Sequence, residues 1–239
     1  GNDLFASNQE LFVLDKDGKK VALIIVDSKK TEIVAGPDQI EDATLIAGYE
    51  DRVFVLEGSG IYEVGPQRKK QIDKEWEGEV LVYVYAGNLY LLESVTSTIW
   101  RYPGGEEDFG ERQNWFAPGI EVNLSDATGW TIDGAVWILS SSSRVLKFIG
   151  GNPQNFSISE VFPDLTSIDA IYSNDELEYL YLLDKAGRRV VVVDKEGKFK
   201  AQYLNDQIGE ATDLAVSEEE KKIILLSGSK LYSIELKHL

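Results

Sequence analysis

Acidic side chains recur at a nearly constant distance before six short apolar phrases, and these acids are the residues best suited to bind or polarise a ligand. Five of them lie 10 or 11 residues before the first residue of a phrase: Asp42, Glu79, Asp126, Asp169 and Asp213. Asp3 lies 8 residues before the first phrase. If each acid begins an equivalent strand of a repeated unit, the carboxylates gather at one mouth of a central channel. There they repel one another unless a cation or a basic group is present.

Oxygen ligands of this kind suit Ca²⁺ rather than zinc. The spacing therefore predicts a channel-mouth site for a basic ligand or for Ca²⁺. In the second case we expect the metal ligands to be Asp126, Asp169, Asp213 and Asn123. The alternative is that acids at strand starts are solvated turn formers, in a chain that contains 41 Asp and Glu residues. The sequence leaves both interpretations open.

The composition excludes several kinds of chemistry. The 239 residues contain no cysteine and one histidine, His238, so a thiol nucleophile, a thiolate or histidine metal site and a Ser-His-Asp triad cannot be assembled. The formal net charge of −17 disfavours nucleic acid and anionic lipid surfaces and favours cations and basic partners. No apolar run approaches about 18 residues, so we expect no membrane insertion.

The elements that position these acids form a repeat. An aromatic and branched phrase with a polar last residue occurs at Leu11–Asp15, Val53–Glu57, Leu89–Glu93, Val136–Ser140, Leu180–Asp184 and Ile223–Ser227. Successive copies are 42, 36, 47, 44 and 43 residues apart, which accommodates four short strands and is typical of a propeller. We predict an all-β fold, a six-bladed β-propeller formed as a single domain over residues 1–239. The expected blades are roughly residues 2–39, 40–77, 78–120, 121–165, 166–207 and 208–239.

Each phrase forms one arm of a hairpin. The turns contain Gly18, Gly60 and Gly187, and we expect glycine to supply the positive φ that tight hairpins require. The sixth unit ends after its third strand. Either the residues around Asp3 to Ala6 close that blade, or they form the innermost strand of the first blade and the last blade has three strands. The offset of these residues from Leu11 favours the second arrangement.

One unit carries a family resemblance. Leu180 to Phe199 contains Leu-Leu-Asp-Lys-Ala-Gly-Arg-Arg-Val and then Val-Asp-Lys-Glu-Gly-Lys-Phe, and it resembles an NHL repeat of six-bladed propellers. The resemblance implies the fold across the chain and no particular function. In blade number and channel acids the sequence is also similar to gluconolactonase-like propellers, which use a channel Ca²⁺ to polarise a lactone or ester carbonyl. That similarity implies an alternative activity, a Ca²⁺-dependent lactonase or esterase-like hydrolase.

Two further features are candidates for recognition. Trp130 lies on an inner strand beside Asp126, and we expect it to line the channel. The longest excursion of the chain, Pro103 to Gly119, predicts either a loop that clasps a basic peptide or a plain solvated loop. The recognition residues in this loop are Glu106, Glu107, Asp108 and Phe109.

These features favour a non-catalytic propeller that binds a small molecule or a basic protein or peptide. We expect it to be the recognition or sensor domain of a larger protein, because the chain begins at Gly1 and contains no methionine. We expect no catalytic residue, no cofactor other than Ca²⁺, and a monomer. The absence of cysteine suits both the cytosol and cysteine-poor bacterial exteriors, and of these we favour an extracytoplasmic bacterial location.

Overall fold

The structure of the protein, a computed structural model, describes residues 3–7, 10–26 and 28–239. Within these ranges 23 strands form six antiparallel sheets, and a 3-10 helix spans Asp206–Glu210. The predicted six-bladed β-propeller fold is confirmed. The predicted first blade begins at Asn2, which lies outside the described residues. No helix in the described part of the chain has the length and apolarity needed to cross a membrane.

The chain divides into two compact units, and each is described separately. The first unit consists of residues 1–93 and 99–114. Its first sheet contains β1 (Asp3–Ser7), β2 (Glu10–Asp15), β3 (Lys20–Ile25) and β4 (Lys30–Ala35). Its second contains β5 (Leu45–Tyr49), β6 (Arg52–Glu57), β7 (Gly60–Val64) and β8 (Lys69–Asp73). Its third contains β9 (Val80–Tyr85), β10 (Asn88–Glu93), β11 (Thr98–Tyr102) and β12 (Gln113–Asn114). The first strands of these sheets, β1, β5 and β9, lie side by side.

The second unit consists of residues 94–98 and 115–239. Its first sheet contains β13 (Ala127–Ile132), β14 (Val136–Ser140), β15 (Val145–Ile149) and β16 (Asn152–Gln154). Its second contains β17 (Ala170–Tyr172), β18 (Tyr179–Asp184), β19 (Arg189–Asp194) and β20 (Phe199–Leu204). Its third contains β21 (Asp213–Ser217), β22 (Lys222–Ser227) and β23 (Lys230–Glu235). The first strands β13, β17 and β21 lie side by side.

The six apolar phrases are the second strands of their sheets. In the fifth blade, Leu182 of β18 pairs with Ile171 of β17 on one side and with Val191 of β19 on the other. Residues 180–183 are completely buried. A strand that is covered on both faces is apolar throughout, so its sequence is a continuous run rather than an alternation. Burial of each large apolar side chain contributes roughly 1.5–3 kcal/mol, and these strands are the cores of the blades.

The hairpins of the first and fifth blades have the same kind of turn. The prediction that Gly18 and Gly187 supply the positive φ in these turns is wrong. The residues with positive φ are Lys19 and Arg188, at 47° and 51°, and not Gly18 and Gly187. A Cβ on Gly187 would lie only 2.5 Å from Asp184 Oδ2. The Gly187 N–H donates to Asp184 Oδ1 at 2.7 Å. The glycine is therefore required by the close approach of the aspartate that closes the turn.

Two of the phrases end in a buried glutamate that fastens its own blade. Glu57 and Glu93 are 4% and 5% exposed, and one oxygen of each accepts a hydrogen bond from the backbone N–H 16 residues earlier. The second oxygen of Glu57 binds Arg68 at 2.5 Å, and that of Glu93 accepts a hydrogen bond from Trp100 Nε1 at 3.0 Å. Gly60, in the turn after Glu57, has the expected positive φ of 154°. Each glutamate therefore connects the segment before the first strand of its blade with a side chain later in the same blade.

The first strand of the chain belongs to the first blade. β1 pairs with β2 from Asp3 and Leu14 to Ser7 and Glu10. The sixth sheet has three strands, β21 to β23. The second of the two expected arrangements is therefore confirmed. After β23, the buried Leu236 donates its N–H to the carbonyl oxygen of Lys221, between β21 and β22, at 2.8 Å.

His238 packs among tyrosines of the fifth blade. Tyr203 Oη lies 2.6 Å from His238 Nδ1 and accepts a hydrogen bond from the Lys237 N–H at 2.7 Å. The imidazole contacts the rings of Tyr179, Tyr181 and Tyr203 edge-on, with centroids 5.1, 6.2 and 5.8 Å away. A neutral imidazole can accept the phenol hydrogen at Nδ1, whereas protonation would place a hydrogen on that nitrogen.

We expect acid to weaken this contact. Burial lowers the pKa of His238 below its ordinary value of 6.5, and the carboxylates of Glu218 and Glu178 oppose this shift without cancelling it. The unfolded chain therefore takes up this proton at a higher pH than the folded chain. The stabilising contribution of His238 is complete above about pH 6.5 and decreases as the pH falls below it. An NMR titration of the single histidine should give a midpoint below 6.5.

The control for this titration is His238→Asn, which keeps a hydrogen-bond acceptor near Tyr203 and removes the titrating group. Between about pH 7.5 and about pH 5.5, the free energy of unfolding should fall more in the wild type than in the variant. A midpoint at or above 6.5, or identical pH profiles for the two proteins, would contradict the prediction.

Candidate functional site

The acids of the first unit lie where its inner strands begin. Asp3 is the first residue of β1; its Oδ1 accepts the Leu4 N–H at 3.1 Å, and its Oδ2 accepts the Ile46 N–H of β5 at 2.8 Å. Asp42 lies three residues before β5, and Glu79 immediately precedes β9. Both of these residues are exposed. Asp3 therefore joins the first blade to the second, while Asp42 and Glu79 are at the surface.

The acids of the second unit have equivalent positions. Asp126 and Asp169 immediately precede β13 and β17, and Asp213 is the first residue of β21. Asp169 Oδ2 accepts the Lys185 N–H at 2.9 Å, and Asp213 Oδ1 accepts the Leu214 N–H at 2.8 Å. Asp126 is half-buried, and Asp169 is exposed. Two of these three carboxylates therefore accept backbone hydrogen bonds within their own blade.

The proposed calcium ligands include an amide that already closes a turn. Asn123 Oδ1 accepts hydrogen bonds from the Ser125 N–H at 3.0 Å and from Ser125 Oγ at 2.7 Å. Across residues 3–7, 10–26 and 28–239, no three His, Asp or Glu side chains come together in a group that could hold a metal ion. The calcium assignment stays a prediction. The hydrogen bonds of Asn123 are those of a residue that organises a turn.

Trp130 lies on β13 opposite Ile138 of β14. Its side chain is only 8% exposed. Neighbouring residues therefore enclose most of the indole, which leaves little of it for contact with a ligand. Its place on a channel wall stays a prediction.

The long excursion after β11 is fastened to the second blade. The carbonyl oxygen of Glu107 accepts hydrogen bonds from Arg52 Nη2 at 3.4 Å and from Gln71 Nε2 at 3.2 Å. Asp108 forms an ion pair of 2.7 Å with Lys69. Two of the residues expected to meet a basic peptide thus contact the chain itself, Glu107 through its backbone and Asp108 through its carboxylate.

Phe109 forms the apolar part of this attachment. Its ring lies 5.3 Å from the ring of Phe54, and the Arg52 guanidinium carbon is 5.0 and 5.5 Å from the Phe54 and Phe109 ring centroids. These distances are typical of cation–π contacts. The same guanidinium hydrogen-bonds both oxygens of Glu63 and thereby lowers the pKa of that carboxyl. Glu106 remains exposed.

A charged cluster in the second unit was not found from the sequence. Lys195 Nζ contacts Asp133 Oδ2 and Ser173 Oγ, and Ser173 Oγ donates to Asp133 Oδ2 at 2.8 Å. Asp133 Oδ1 accepts a hydrogen bond from Trp137 Nε1 at 2.7 Å. Lys195 is 62 residues from Asp133 along the chain, so no local spacing indicates the cluster. The three side chains connect the fourth and fifth blades.

Serine, lysine and aspartate are residue types found in hydrolases, but burial excludes this role here. Ser173 is completely buried, and the Asp133 side chain is 5% exposed. A nucleophilic serine must reach its substrate and give its proton to a neighbouring base. Ser173 does not reach the surface, and the Asp133 carboxylate engages Lys195. The cluster is therefore a structural link between blades.

The second unit also contains an open cleft of about 550 Å³. One wall is residues 143–146, in the turn before β15 and the first two residues of that strand, and the other is residues 156–161. Asp164, Leu165 and Ile168 complete the lining. A cleft of this volume accommodates a small molecule or one or two side chains of a partner.

The wall formed by residues 156–161 is held in place by the fifth blade. The Ser159 N–H donates to the Gly197 carbonyl oxygen at 2.9 Å, and the Ser159 carbonyl oxygen accepts the Phe199 N–H at 3.2 Å. The Phe156 ring packs edge-on against Trp137, with centroids 5.0 Å apart. The cleft is therefore formed before any ligand binds. No periodic pattern in the sequence indicates this cleft, because the wall of residues 156–161 is a connection without strands of its own.

Comparison with known proteins identifies the fold. No protein-family model and no curated protein sequence matches the chain. The gluconolactonase XC5397 from Xanthomonas campestris has a TM-score of 0.65 at 12% identity, over 95% of this chain and 82% of its own. Regucalcin from Agrobacterium tumefaciens, a calcium-binding protein, has a TM-score of 0.62 at 12% identity, over 96% and 82%.

A chain of a nidogen/laminin complex has a TM-score of 0.62 at 14% identity, over 86% of this chain and 80% of its own. At such identities these similarities show the fold alone. They confirm a resemblance to six-bladed propellers, including NHL-like ones, at the level of the fold.

Removal of Lys195 should destabilise the second unit. Lys195→Met leaves the buried Asp133 carboxylate without its cation, and breaking a fully buried pair costs about 3–5 kcal/mol. We expect roughly 2 kcal/mol, because Trp137 and Ser173 still donate to the carboxylate and the lysine side chain is 24% exposed. Urea denaturation followed by tryptophan fluorescence measures this change.

Lys198→Met is the matched control for this substitution. Lys198 forms a 3.7 Å pair with Glu160, and the two side chains are 58% and 62% exposed. Its loss should therefore cost less than about 1 kcal/mol. Equal destabilisation by the two substitutions would show that the buried cluster does not link the blades as described.

Proposed function

We propose that this protein is a non-catalytic binding module, the recognition or sensor domain of a larger protein, and that the cleft of the second unit holds its ligand. The observation that supports this function is the cleft itself. It is preformed, has a volume of about 550 Å³ and combines apolar and polar lining residues. Sites that bind small molecules or side chains have these properties.

The surface beside the cleft is suited to a partner. Phe162 is 82% exposed although its backbone is fixed, since its carbonyl oxygen accepts a hydrogen bond from Gln202 Nε2 at 3.2 Å. The carbonyl oxygen of Asp164 accepts one from Arg189 Nη2 at 3.0 Å. Leu204, which pairs with Arg189 across the sheet, is 69% exposed. Exposed apolar side chains next to a cleft are typical of interaction surfaces.

The fold comparison and the charge of the chain support the same function. The nidogen/laminin complex shows that a chain with this fold occurs in a complex of proteins. The net charge of −17 favours a basic protein or peptide over nucleic acid where contacts extend beyond the cleft. We propose that the module acts as a monomer outside the bacterial cytoplasm.

Blocking the cleft should abolish binding of an apolar probe. Nile red is a neutral fluorescent dye, so its binding tests the apolar cleft independently of charge. Ser157 lines the cleft and is exposed, and Ser157→Trp places an indole at its mouth. We expect the wild type to bind one dye molecule, with at least about tenfold weaker binding in the variant. Fluorescence titration gives the stoichiometry and the affinity.

Ser229→Trp, in the exposed turn between β22 and β23, is the matched control and should bind as the wild type does. Thermal melts show whether each variant is folded. If the wild type binds no dye saturably, or if Ser157→Trp binds as tightly as Ser229→Trp, the cleft is not the binding site.

A second candidate function is a Ca²⁺-dependent hydrolase of lactones or esters. Acids lie where the inner strands begin, and the fold is similar to those of a gluconolactonase and of a calcium-binding protein. In this function an ion held by Asp126, Asp169, Asp213 and Asn123 would polarise the carbonyl group for attack by water. The hydrogen bonds that Asp169, Asp213 and Asn123 already make favour the binding module instead.

Calcium should therefore leave the stability unchanged. A ligand at about 100 times its Kd stabilises a fold by about 2.7 kcal/mol, so a bound ion would be detected readily. We expect EDTA-treated protein to melt at the same temperature with and without Ca²⁺ and to show no lactone turnover. The hydrolase is favoured instead if Ca²⁺ raises the melting temperature and supports turnover, and if Asp126→Ala and Asp169→Ala abolish both effects.

A further inference from the structure

Arg144 lines the cleft and forms no ion pair with any described residue. Its Nε donates to Ser142 Oγ at 3.3 Å, and the residue is exposed. Five of the six other arginines in the chain form ion pairs: Arg52, Arg68, Arg112, Arg188 and Arg189. The terminal nitrogens of Arg144 have no acidic partner among the described residues, although the chain has a net charge of −17. This guanidinium is therefore available to an anion.

A hydrogen bond links the apolar part of the cleft to the turn that carries Arg144. Phe156 and Leu165 pack against the core of the fourth and fifth blades, and Ile168 is 6% exposed within it. The Ile168 N–H donates to Ser143 Oγ at 2.9 Å. Ser143 and Arg144 are consecutive residues of one hairpin, so the same hairpin carries the cation and holds Ile168. Contacts within the protein therefore fix the backbone that carries both the cation and the apolar group.

The other charges at the cleft limit the charge of the ligand. Glu160 is paired with Lys198, and Asp164 lines the cleft and is exposed. Arg144 and Lys198 carry one positive charge each, and Glu160 and Asp164 one negative charge each. These four formal charges cancel, although the whole chain is strongly acidic. A single negative charge can approach Arg144 under these conditions. The two carboxylates disfavour a ligand with two negative charges, such as a phosphate monoester.

We propose that the cleft binds a monocarboxylate that carries an apolar group. The terminal nitrogens of Arg144 bind the carboxylate, and Phe156, Leu165 and Ile168 contact the apolar part. A planar guanidinium suits this role because its N–H groups match the two oxygens of a carboxylate. The proposal rests on the proposed function, since it names the ligand class of the same cleft. A free organic acid and the C-terminal residue of a peptide that ends in an apolar side chain share this chemistry.

The test compares N-acetyl-L-leucine with N-acetyl-L-leucinamide, which have the same side chain and differ in charge. In calorimetric titrations, we expect the wild type to bind the acid at least about tenfold more tightly than the amide. This preference should shrink when NaCl is raised from about 50 mM to about 500 mM. Arg144→Gln should bind both compounds with the affinity of the amide. Arg188→Gln, at an arginine whose side chain is 66% exposed, should keep the preference.

A second pair of probes separates the two sources of the ligand. Acetyl-Ala-Ala-Leu is titrated with a free and with an amidated C-terminus. Tighter binding of the free peptide than of N-acetyl-L-leucine supports the proposal with a peptide C-terminus as the ligand. Equal binding of these two acids supports it with a free organic acid as the ligand.

The proposal is overturned if the wild type binds acid and amide equally, or if Arg144→Gln keeps the preference for the acid. It is also overturned if Arg188→Gln loses this preference to the same extent. Nile red binding without any preference for the acid rejects the ligand class and leaves the proposed function intact. Failure of the dye and of both acids to bind rejects the cleft as a site.

Discussion

Every blade depends on a second strand that is hydrogen-bonded along both edges and buried on both faces. This constraint leaves no charged side chain in the interior of the strand and places charged or hydroxyl groups at its end. There, Glu57 and Glu93 accept hydrogen bonds from backbone N–H groups before the first strands of their blades, whereas Asp184 accepts one within its hairpin turn. Because the strands are fully used in packing, groups that can meet a ligand lie on the turns and connections. The cleft follows this rule, since a hairpin and an inter-blade connection form its walls.

The architecture was predictable because the signal repeats. Six copies of one apolar phrase gave the number of blades, and the offset of Asp3 from Leu11 identified β1 as part of the first blade. The role of Gly187 was not predictable in the same way. A glycine in a hairpin turn suggests a positive φ, but here the controlling fact is the distance to the Asp184 carboxylate. That distance depends on a side-chain conformation, which the residue pattern does not contain.

The candidate sites were less predictable than the fold, for a related reason. The acids lie at the first residue of an inner strand or up to three residues before it. Their spacing does not reveal that Asp3 and Asp169 accept hydrogen bonds from backbone N–H groups. The partners of Lys195 are distant in sequence, and residues 155–169 have no periodicity of their own. In the sequence Arg144 resembles any surface arginine, because only the three-dimensional structure shows that none of the described acidic residues pairs with it.

The wall of residues 156–161 pairs with the fifth blade through Ser159. The opposite wall, residues 143–146, belongs to the fourth blade. A molecule bound between these walls therefore touches two consecutive repeats. In repeat proteins, the coupling between neighbours determines whether they unfold together or one after the other. A ligand in the proposed site would add to this coupling, so its binding would make the fourth and fifth blades a more cooperative unfolding unit than either is alone.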